Sequence, residues 1–276
     1  MMTNVQVTNA QARNWQPTLF IKISIILHAI LLVVLLAAPQ LWPWLLAILI
    51  ANHLVISTVG LLPRSHWLGP NWTKLPPAAT LRNEIALTID DGPDPLVTRP
   101  VLEILDRYQV KATFFQIGDH AMKHPELCRE IIERGHAIEN HSQRHKLYFS
   151  LMGSNSIMRE ITDGQETLSH ITSIRPQFFR APAGLRNPFL EPVLSRLGLK
   201  LTSWSVRAFD TQNGNVEKVK HKLIAGLRPG AIILLHDGNA ARTKADEPII
   251  LAVLPAILEA AREKGLHFVT LAEAAA

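Results

Sequence analysis

The 276-residue sequence predicts an α/β fold: a deformed (β/α) barrel of about seven parallel strands, preceded by an N-terminal two-helix transmembrane hairpin. Two patterns predict it: short β-rich runs alternate with helical patterns from Glu84 onward, and two long apolar runs come before them. A hydrophobic content of 47% and a mean hydropathy of +0.13 agree with an added membrane segment. We expect a tail over 1–18, the hairpin over 19–62, a linker over 63–83 and a globular domain over 84–276.

The hairpin is predicted from two apolar runs, Leu19 to Ala38 and Leu45 to Leu62, each close to the ~20 residues that cross a bilayer as a helix. A short uncharged break separates them, and five of the six tryptophans flank them, as expected for side chains that prefer the lipid headgroup region. A cleaved signal peptide is rejected, because its apolar region has only ~7 to 15 residues and a second run follows here at once. A buried helical pair of a soluble protein is the alternative.

The positive charge of the chain indicates a membrane orientation. The formal net charge is +5, and the five basic residues that precede Glu84 have no acidic residue among them. Basic residues lie at both outer ends of the hairpin and none lies at its turn, so the positive-inside rule places both ends in the cytoplasm. We therefore expect a multi-pass protein of the bacterial inner (cytoplasmic) membrane, with membrane lipid as a partner, the globular domain facing the cytoplasm and no nucleic-acid partner.

The globular domain is predicted to contain seven strands separated by helices. The strands cover 85–90, 112–117, 136–139, 177–180, 200–204, 231–236 and 267–270. The helices cover 98–108, 124–134, 155–171, 188–197, 215–227 and 246–264. Because this alternation is typical of parallel strands, the residues that follow the strands should meet at the carboxyl edge of the barrel.

Polar side chains recur at these predicted strand ends. Scattered surface charges would have no reason to follow strands in this way, so the side chains indicate a site. The alternative is that a stretch such as Asp90-Asp91-Gly92-Pro93 only forms a turn, since Asp, Gly and Pro all suit turns. The residues concerned are Asp90, Asp91, His141, His145, Arg180, Asp210 and His236.

A metal site is predicted from the histidine spacing. His141 and His145 are four residues apart, so on a helical turn they would lie on one face and share one cation. Either Asp90 or Asp91 would complete the ligands and leave open positions for water and substrate, while the other takes a proton. The single cysteine, Cys128, excludes a Cys-rich zinc site, so any metal must use His and carboxylate.

Four ordered motifs resemble those of the polysaccharide deacetylases, the NodB-homology group that is also called carbohydrate esterase family 4. The resemblance covers roughly residues 84–270 and leaves the hairpin outside. It implies a deformed (β/α) barrel that removes an N-acyl group, acetyl or formyl, from an amino sugar by metal-dependent hydrolysis. The motifs are Thr88-Ile89-Asp90-Asp91-Gly92-Pro93, His141-Ser142-x-x-His145, Arg180-x-Pro182-x-Gly184 and Leu234-Leu235-His236.

The resemblance also implies which residues bind the metal and activate the water. Asp91, His141 and His145 would bind a divalent ion, for which Zn²⁺ is the first expectation and Co²⁺ or a similar ion the alternative. Asp90 would be the general base toward the attacking water. Arg180 would pair with Asp90 and keep it ionised.

The other half of the implied site handles the leaving group and the substrate. His236 would protonate the leaving amine, and Asp210 would orient it and tune its charge. A backbone N–H near Ala183 would hold the oxyanion. Leu234 and Trp204 are expected to line the substrate, although a buried strand position is the alternative for Trp204.

The sequence departs from the family pattern at the substrate wall. Arg207 and Thr211 stand where the family usually has Asp and Trp, and Ala183 stands where it often has Tyr. With a domain that faces the cytoplasm, this favours a lipid-linked glycan over a polysaccharide such as chitin or peptidoglycan. Arg207 would pair with a phosphate or a sugar carboxylate of that substrate.

Two alternative functions stay open. An O-acetyl polysaccharide esterase would use the same residues, because the same water attacks an ester or an amide carbonyl. A catalytically silent membrane interaction protein would need none of the reacting residues, and their joint presence argues against it.

Overall fold

The computed structural model describes residues 12–276, so positions 1–11 of the predicted tail lie outside the described residues. The two apolar runs form α1 Leu19–Ala37 and α2 Trp42–Gly60, joined by a 3₁₀ turn at Pro39–Leu41. Helix α1 begins after Thr18, whose hydroxyl accepts a hydrogen bond from the Ile21 N–H and so satisfies a donor that has no partner within the helix.

Helices α1 and α2 are long and apolar enough to cross a membrane by length and composition, and no other helix of residues 12–276 meets this test. Little of either helix is covered by protein, since 6% of the apolar window of α1 and 11% of that of α2 is buried. They are therefore not the buried helical pair of a soluble protein. A membrane anchor and a signal sequence both fit this finding.

The remaining chain forms one curled parallel sheet, a (β/α) half-barrel, which confirms the predicted deformed (β/α) barrel. Its strands within the described residues are β1 Glu84–Asp90, β2 Thr113–Gln116, β3 Ala137–Asn140, β4 Phe178–Phe179, β5 Lys200–Leu201, β6 Val206–Arg207, β7 Ile232–His236 and β8 His267–Phe268. The strand order is β5-β4-β3-β2-β1-β7-β6, and β8 pairs with the start of β1.

Strand β6 is an addition to the seven predicted strands. The strand expected over 200–204 ends at Leu201, and within the described residues β5 and β6 do not pair with each other. A segment of the predicted linker lies at this gap and hydrogen-bonds to β5 on one side and to the residue that precedes Ala231 and β7 on the other. The Trp72 N–H donates to the Leu201 carbonyl and the Leu75 N–H donates to the Gly230 carbonyl, both at 2.9 Å. Part of 63–83 therefore takes part in the sheet.

Helices close to the predicted positions cover the outer face of this sheet, whereas two short helices pack against its inner apolar cluster. The short helices over Pro77–Leu81, Gly118–Lys123 and Leu271–Ala275 are not among the predicted ones. The helices are α3 Pro77–Leu81, α4 Thr98–Arg107, α5 Gly118–Lys123, α6 Pro125–Glu133, α7 Ser154–Thr172, α8 Leu190–Leu197, α9 Val216–Ala225, α10 Ile249–Glu263 and α11 Leu271–Ala275.

Alternation along β1 decides which side chains reach the carboxyl edge of the sheet. Leu87 and Ile89 are fully buried in the main core, which the outer helices cover. Successive side chains of a strand point to opposite faces, so Ala86 and Asp90 point inward, and Ala86 joins the inner apolar cluster. The parallel register places Asp90 beside His236 of β7. Two acid–base groups thus become neighbours although they are far apart in sequence.

The buried His136 makes the fold sensitive to acid. The residue is 4% exposed, its Nδ1 accepts a hydrogen bond from the Ala112 N–H at 3.1 Å, and its ring packs edge-on against Phe114. Burial, with a smaller contribution from the charge of Lys111, lowers the pKa of His136 to about 4. Because an unfolded histidine titrates near ~6.5, the unfolded state binds the extra proton between these two values, and stability falls as the pH drops through this window.

We expect this residue alone to lower the free energy of unfolding by about 2 kcal/mol between about pH 7 and about pH 4.5. Urea unfolding of the full chain in detergent measures it, and the His136→Gln variant should lack this part of the pH dependence. His170→Gln removes an exposed histidine and serves as the control, which should follow the wild type. Parallel pH curves for wild type and His136→Gln would contradict the expectation.

Candidate functional site

Strand β1 ends in two consecutive acidic residues that take different directions. Asp90 is the last strand residue, and Asp91 follows in the left-handed region with φ 73°. A residue other than glycine rarely adopts this conformation, and such strained positions concentrate at functional sites. The carbonyl oxygen of Asp91 accepts a hydrogen bond from Nδ1 of His120 at 2.9 Å, and its Oδ2 accepts one from the Asn239 amide at 3.3 Å. These contacts fix the direction of the Asp91 carboxylate.

His141 and His145 approach Asp91, but from a loop and not from the helical turn that their spacing predicts. The described residues 141–145 are irregular, and Ser142 and His145 have positive φ values of 65° and 48°. The loop still brings the centroids of the two imidazole rings to 4.7 Å. Nδ1 of His141 donates to the Arg180 carbonyl at 2.8 Å, which leaves Nε2 free to act as a metal ligand.

Asp91, His141 and His145 fit a divalent cation. The Nε2 atoms of the two histidines lie 3.2 and 3.3 Å from Oδ1 of Asp91, and the three ligand atoms all lie within 4.8 Å of one another. This Oδ1 is buried and has no hydrogen-bond partner among residues 12–276, so a cation would satisfy it. Two imidazoles and one carboxylate are a ligand set that Zn²⁺ accepts with a further position left open.

The charge state of Asp91 also suits a metal ligand. Burial raises the pKa of Asp91, but the close approach of His141, at 3.2 Å, and the charges of His141, His236 and His145 outweigh it, so the net pKa is lowered. A ligating carboxyl must be deprotonated, and Asp91 therefore needs no proton release at neutral pH to bind an ion.

Asp90 is held by a buried arginine, as predicted. Nη1 of Arg180, a residue that is 1% exposed, donates to Oδ1 of Asp90 at 2.6 Å. The same guanidinium donates to the Thr88 hydroxyl at 2.8 Å and to the Ser203 carbonyl at 2.9 Å. Oδ2 of Asp90 lies 3.9 Å from Nε2 of His141. One carboxylate oxygen is thus fixed by Arg180, and the other lies next to the three candidate ligands.

His236 and Asp210 form a second buried pair across the site. Nδ1 of His236 lies 3.1 Å from both carboxylate oxygens of Asp210, whose Oδ2 also accepts the backbone N–H of His236 at 2.8 Å. Burial disfavours the imidazolium, yet the charge and hydrogen bond of Asp210 outweigh it, with help from Asp90 and Asp91, and raise the pKa of His236 to about 9. The ring is therefore protonated at neutral pH.

These groups surround one cavity of about 210 Å³, with Asp210 and Arg180 behind its wall. The four residues predicted to contact substrate are all part of the lining: Ala183, Trp204, Arg207 and Leu234. Gln212 and Asn239 also line the cavity, and the sequence did not indicate them because neither belongs to a motif. The position of Asn239, three residues after His236, was the available signal.

Comparisons with known proteins agree with this geometry. The polysaccharide deacetylase family model matches residues 78–202. The peptidoglycan-N-acetylglucosamine deacetylase of Bacillus cereus is 34% identical over 191 residues, which are 68% of this chain and 86% of that protein. The chitooligosaccharide deacetylase of Azorhizobium caulinodans is 38% identical over 158 residues, covering 57% of this chain and 75% of that protein.

A solved structure is similar as well. The family 4 carbohydrate esterase from Streptomyces lividans, in complex with acetate, superposes with a TM-score of 0.61 at 29% identity, over 67% of this chain and 91% of that chain. The curled parallel sheet and the carboxylate–histidine site at its carboxyl edge define a (β/α) half-barrel of the carbohydrate esterase class. The chain belongs to the polysaccharide deacetylase family, and the resemblance of its four motifs is confirmed.

The ligand set predicts stoichiometric metal binding. We expect one divalent ion per chain when the full protein is stripped with a chelator and then titrated with Zn²⁺, measured by elemental analysis and calorimetry. Asp91→Asn and His145→Gln each remove a ligand atom and should weaken Zn²⁺ binding by at least about 100-fold. His170→Gln, which removes an exposed histidine of α7, should bind like the wild type. Equal affinity in all four proteins would exclude this site.

Proposed function

We propose that the protein is a metal-dependent N-deacylase that removes an acetyl or formyl group from an amino sugar of a glycan. The main support is that three groups of residues meet at one cavity. They are the Asp91–His141–His145 ligand set, the Asp90–Arg180 pair and the His236–Asp210 pair. The names of the two relatives, a peptidoglycan and a chitooligosaccharide deacetylase, support an acylated amino sugar as the substrate.

The ligand set would contribute electrostatic catalysis. A divalent ion held by Asp91, His141 and His145, Zn²⁺ or one of similar chemistry, supplies a Lewis acid that polarises the acyl carbonyl. Asp90 is the base, because its Oδ2 lies beside the ligand set while Arg180 occupies Oδ1. It takes a proton from the water that attacks the carbonyl carbon.

His236 is the acid. Asp210 fixes Nδ1 and keeps the ring protonated at neutral pH, so the Nε2 proton is the one available to the cavity. An amine leaves only after its nitrogen is protonated, and His236 delivers that proton as the C–N bond breaks. Ala183, whose φ of 54° turns the backbone at the cavity wall, contributes the N–H that holds the oxyanion.

The His236–Asp210 pair supports the amide alternative over the ester alternative. An alkoxide leaving group of an ester departs with less need of an acid than an amine does. A histidine held by a dedicated buried carboxylate, as His236 is by Asp210, is suited to protonate an amine and therefore supports amide hydrolysis. A silent interaction protein would have no use for two buried charged pairs beside a ligand set, since unpaired or misplaced buried charges are costly.

A second part of the proposal concerns the membrane. We propose that α1 and α2 anchor the protein in the bacterial inner membrane with both outer ends, and hence the deacylase domain of 84–276, on the cytoplasmic side. An anchored enzyme at that face acts on glycans carried by lipid, and Arg207, which lines the cavity in place of an acidic residue, is suited to an anionic substrate.

The Asp90→Asn variant tests the base. We expect kcat for a chitooligosaccharide, measured by amine release, to fall at least about 1000-fold, because the amide cannot accept the proton but still fits beside Arg180. Zn²⁺ binding should persist, which separates loss of the base from loss of the site. Asp163→Asn changes an acidic side chain of α7 that is 44% exposed and should hydrolyse at the wild-type rate. Wild-type turnover by Asp90→Asn would refute the assignment.

The membrane orientation has its own test. A reporter fused after Ala276 should give a cytoplasmic signal, because the basic residues flank both ends of the hairpin and none lies at its turn. Adding two lysines at the turn, next to Gln40, should shift the signal toward the other side. A periplasmic signal from the unmodified chain would reverse the orientation and move the substrate to exported or cell-wall glycans.

A further inference from the structure

A second, larger cavity adjoins the catalytic one. It measures about 570 Å³ and shares Trp204 and Arg207 with the cavity around the ligand set. Three basic residues and one exposed aromatic residue line it, and we call this surface the cationic groove. Its defining residues are Arg64, Arg207, Phe209 and Lys222.

The positive charge of the groove is not neutralised by the protein. Among residues 12–276, no carboxylate forms a salt bridge with Arg64, Arg207 or Lys222, whereas the nearby Lys220 pairs with Glu217 at 2.8 Å. Nε of Arg207 is buried and has no hydrogen-bond partner within the described chain. Like charges in one concave surface repel each other, and a buried N–H without an acceptor is costly. An anion would relieve both.

Aromatic rings hold the cations in place. The Arg207 guanidinium lies 5.0 Å from the Trp204 ring centroid and 4.8 Å from that of Phe209, and Nζ of Lys222 lies 4.6 Å from the same Phe209 ring. Phe209 is 45% exposed and sits in the left-handed region with φ 60°, a strained conformation for an aromatic residue. Both positive groups thereby contact the same ring, which holds them near each other.

The groove also connects the hairpin to the catalytic cavity. Pro63 and Arg64 come three and four residues after the end of α2 at Gly60. The domain holds this segment, because the Ser203 hydroxyl donates to the Pro63 carbonyl at 2.6 Å and the Arg186 N–H donates to the Gly60 carbonyl at 3.1 Å. An anionic group in the groove would therefore lie between a sugar at the ligand set and an apolar chain beside α2.

We propose that the cationic groove binds the phosphate of a glycosyl phosphodiester, so that the substrate is an amino sugar joined through phosphate to a lipid. The assignment rests on the proposed deacylase function. A phosphate accepts two hydrogen bonds from a guanidinium in bidentate geometry, and it attracts an ammonium as a point charge. The groove offers both, because Arg207, with its buried Nε, lines it together with Arg64 and Lys222. A neutral polysaccharide would leave all three cations without a partner.

Substrate preference tests the assignment. The full-length protein, loaded with Zn²⁺ in a neutral detergent, is assayed with octyl N-acetylglucosaminyl phosphate and with octyl N-acetylglucosaminide, which differ only in the phosphate. We expect kcat/KM to be at least about tenfold higher for the phosphodiester, mainly through KM, and the preference to shrink at high salt. The Arg64→Gln/Lys222→Gln variant should lower this ratio at least about tenfold.

Matched variants exclude a general effect of lost charge. Lys123→Gln/Arg129→Gln removes two exposed cations that do not line the groove and should keep the wild-type ratio. Arg64→Lys/Lys222→Arg keeps the charges and should restore most of the preference. No preference in the wild type, or an equal loss in both glutamine variants, would overturn the proposal.

Direct binding separates the groove from the proposed activity and from the membrane surface. We expect octyl phosphate to bind the chelator-treated protein in calorimetry, and the Arg64→Gln/Lys222→Gln variant to bind it about tenfold more weakly. If this binding is seen but neither glycan is hydrolysed, the deacylase proposal is refuted and the groove assignment stands. Binding that requires the metal, or that both proteins share, would refute the groove. If the Arg64→Gln/Lys222→Gln variant differs from the wild type only in weaker adsorption to phosphatidylglycerol vesicles, the cations bind lipid headgroups. That result would also overturn the groove assignment.

Discussion

The buried guanidinium of Arg180 joins parts of the site that the sheet alone does not connect. Its side chain binds Asp90 and Thr88 of β1 and the Ser203 carbonyl in the stretch between β5 and β6, where strand pairing stops. The backbone carbonyl of Arg180 accepts a hydrogen bond from the Nδ1–H of His141. A charged group that is 1% exposed is tolerated only when its donors are satisfied, so the positions of β1, β4 and this stretch are mutually fixed. Asp90, the proposed base, and His141, a candidate ligand, depend on that arrangement.

The sheet supplies the other half of the geometry through register. The pairing of β1 with β7 sets Asp90 opposite His236, and the inward face of both strands carries their polar ends to the same edge. Asp210 then reaches His236 from the chain that follows β6. Two buried pairs thus face one cavity. In one, Arg180 holds the Asp90 carboxylate, and in the other, Asp210 holds the His236 ring.

The predicted linker contributes more to the architecture than its position between two segments suggests. Near Trp72 it bridges the gap in the sheet, and at Pro63 and Arg64 it forms one wall of the cationic groove. The same residues thereby connect the apolar helices to the wall that carries Trp204 and Arg207. A membrane anchor placed in this way would restrict how a lipid-borne substrate approaches the cavity, which is why the groove and the hairpin are best understood together.

The sequence alone determined the (β/α) class, the two apolar helices, the family and most of the residues around the cavity, because hydrophobic periodicity and motif chemistry are local properties. It also named Arg207 as a departure. Only the tertiary structure decided that His141 and His145 converge from a loop with positive φ values, that β6 forms beyond a gap in the sheet, and that Asn239 supports Asp91. It alone placed Arg64 and Lys222 in one groove with Arg207. Arg64 is more than a hundred positions from Arg207 in sequence and Lys222 lies on the following helix, so the three meet only through packing, which no local pattern encodes.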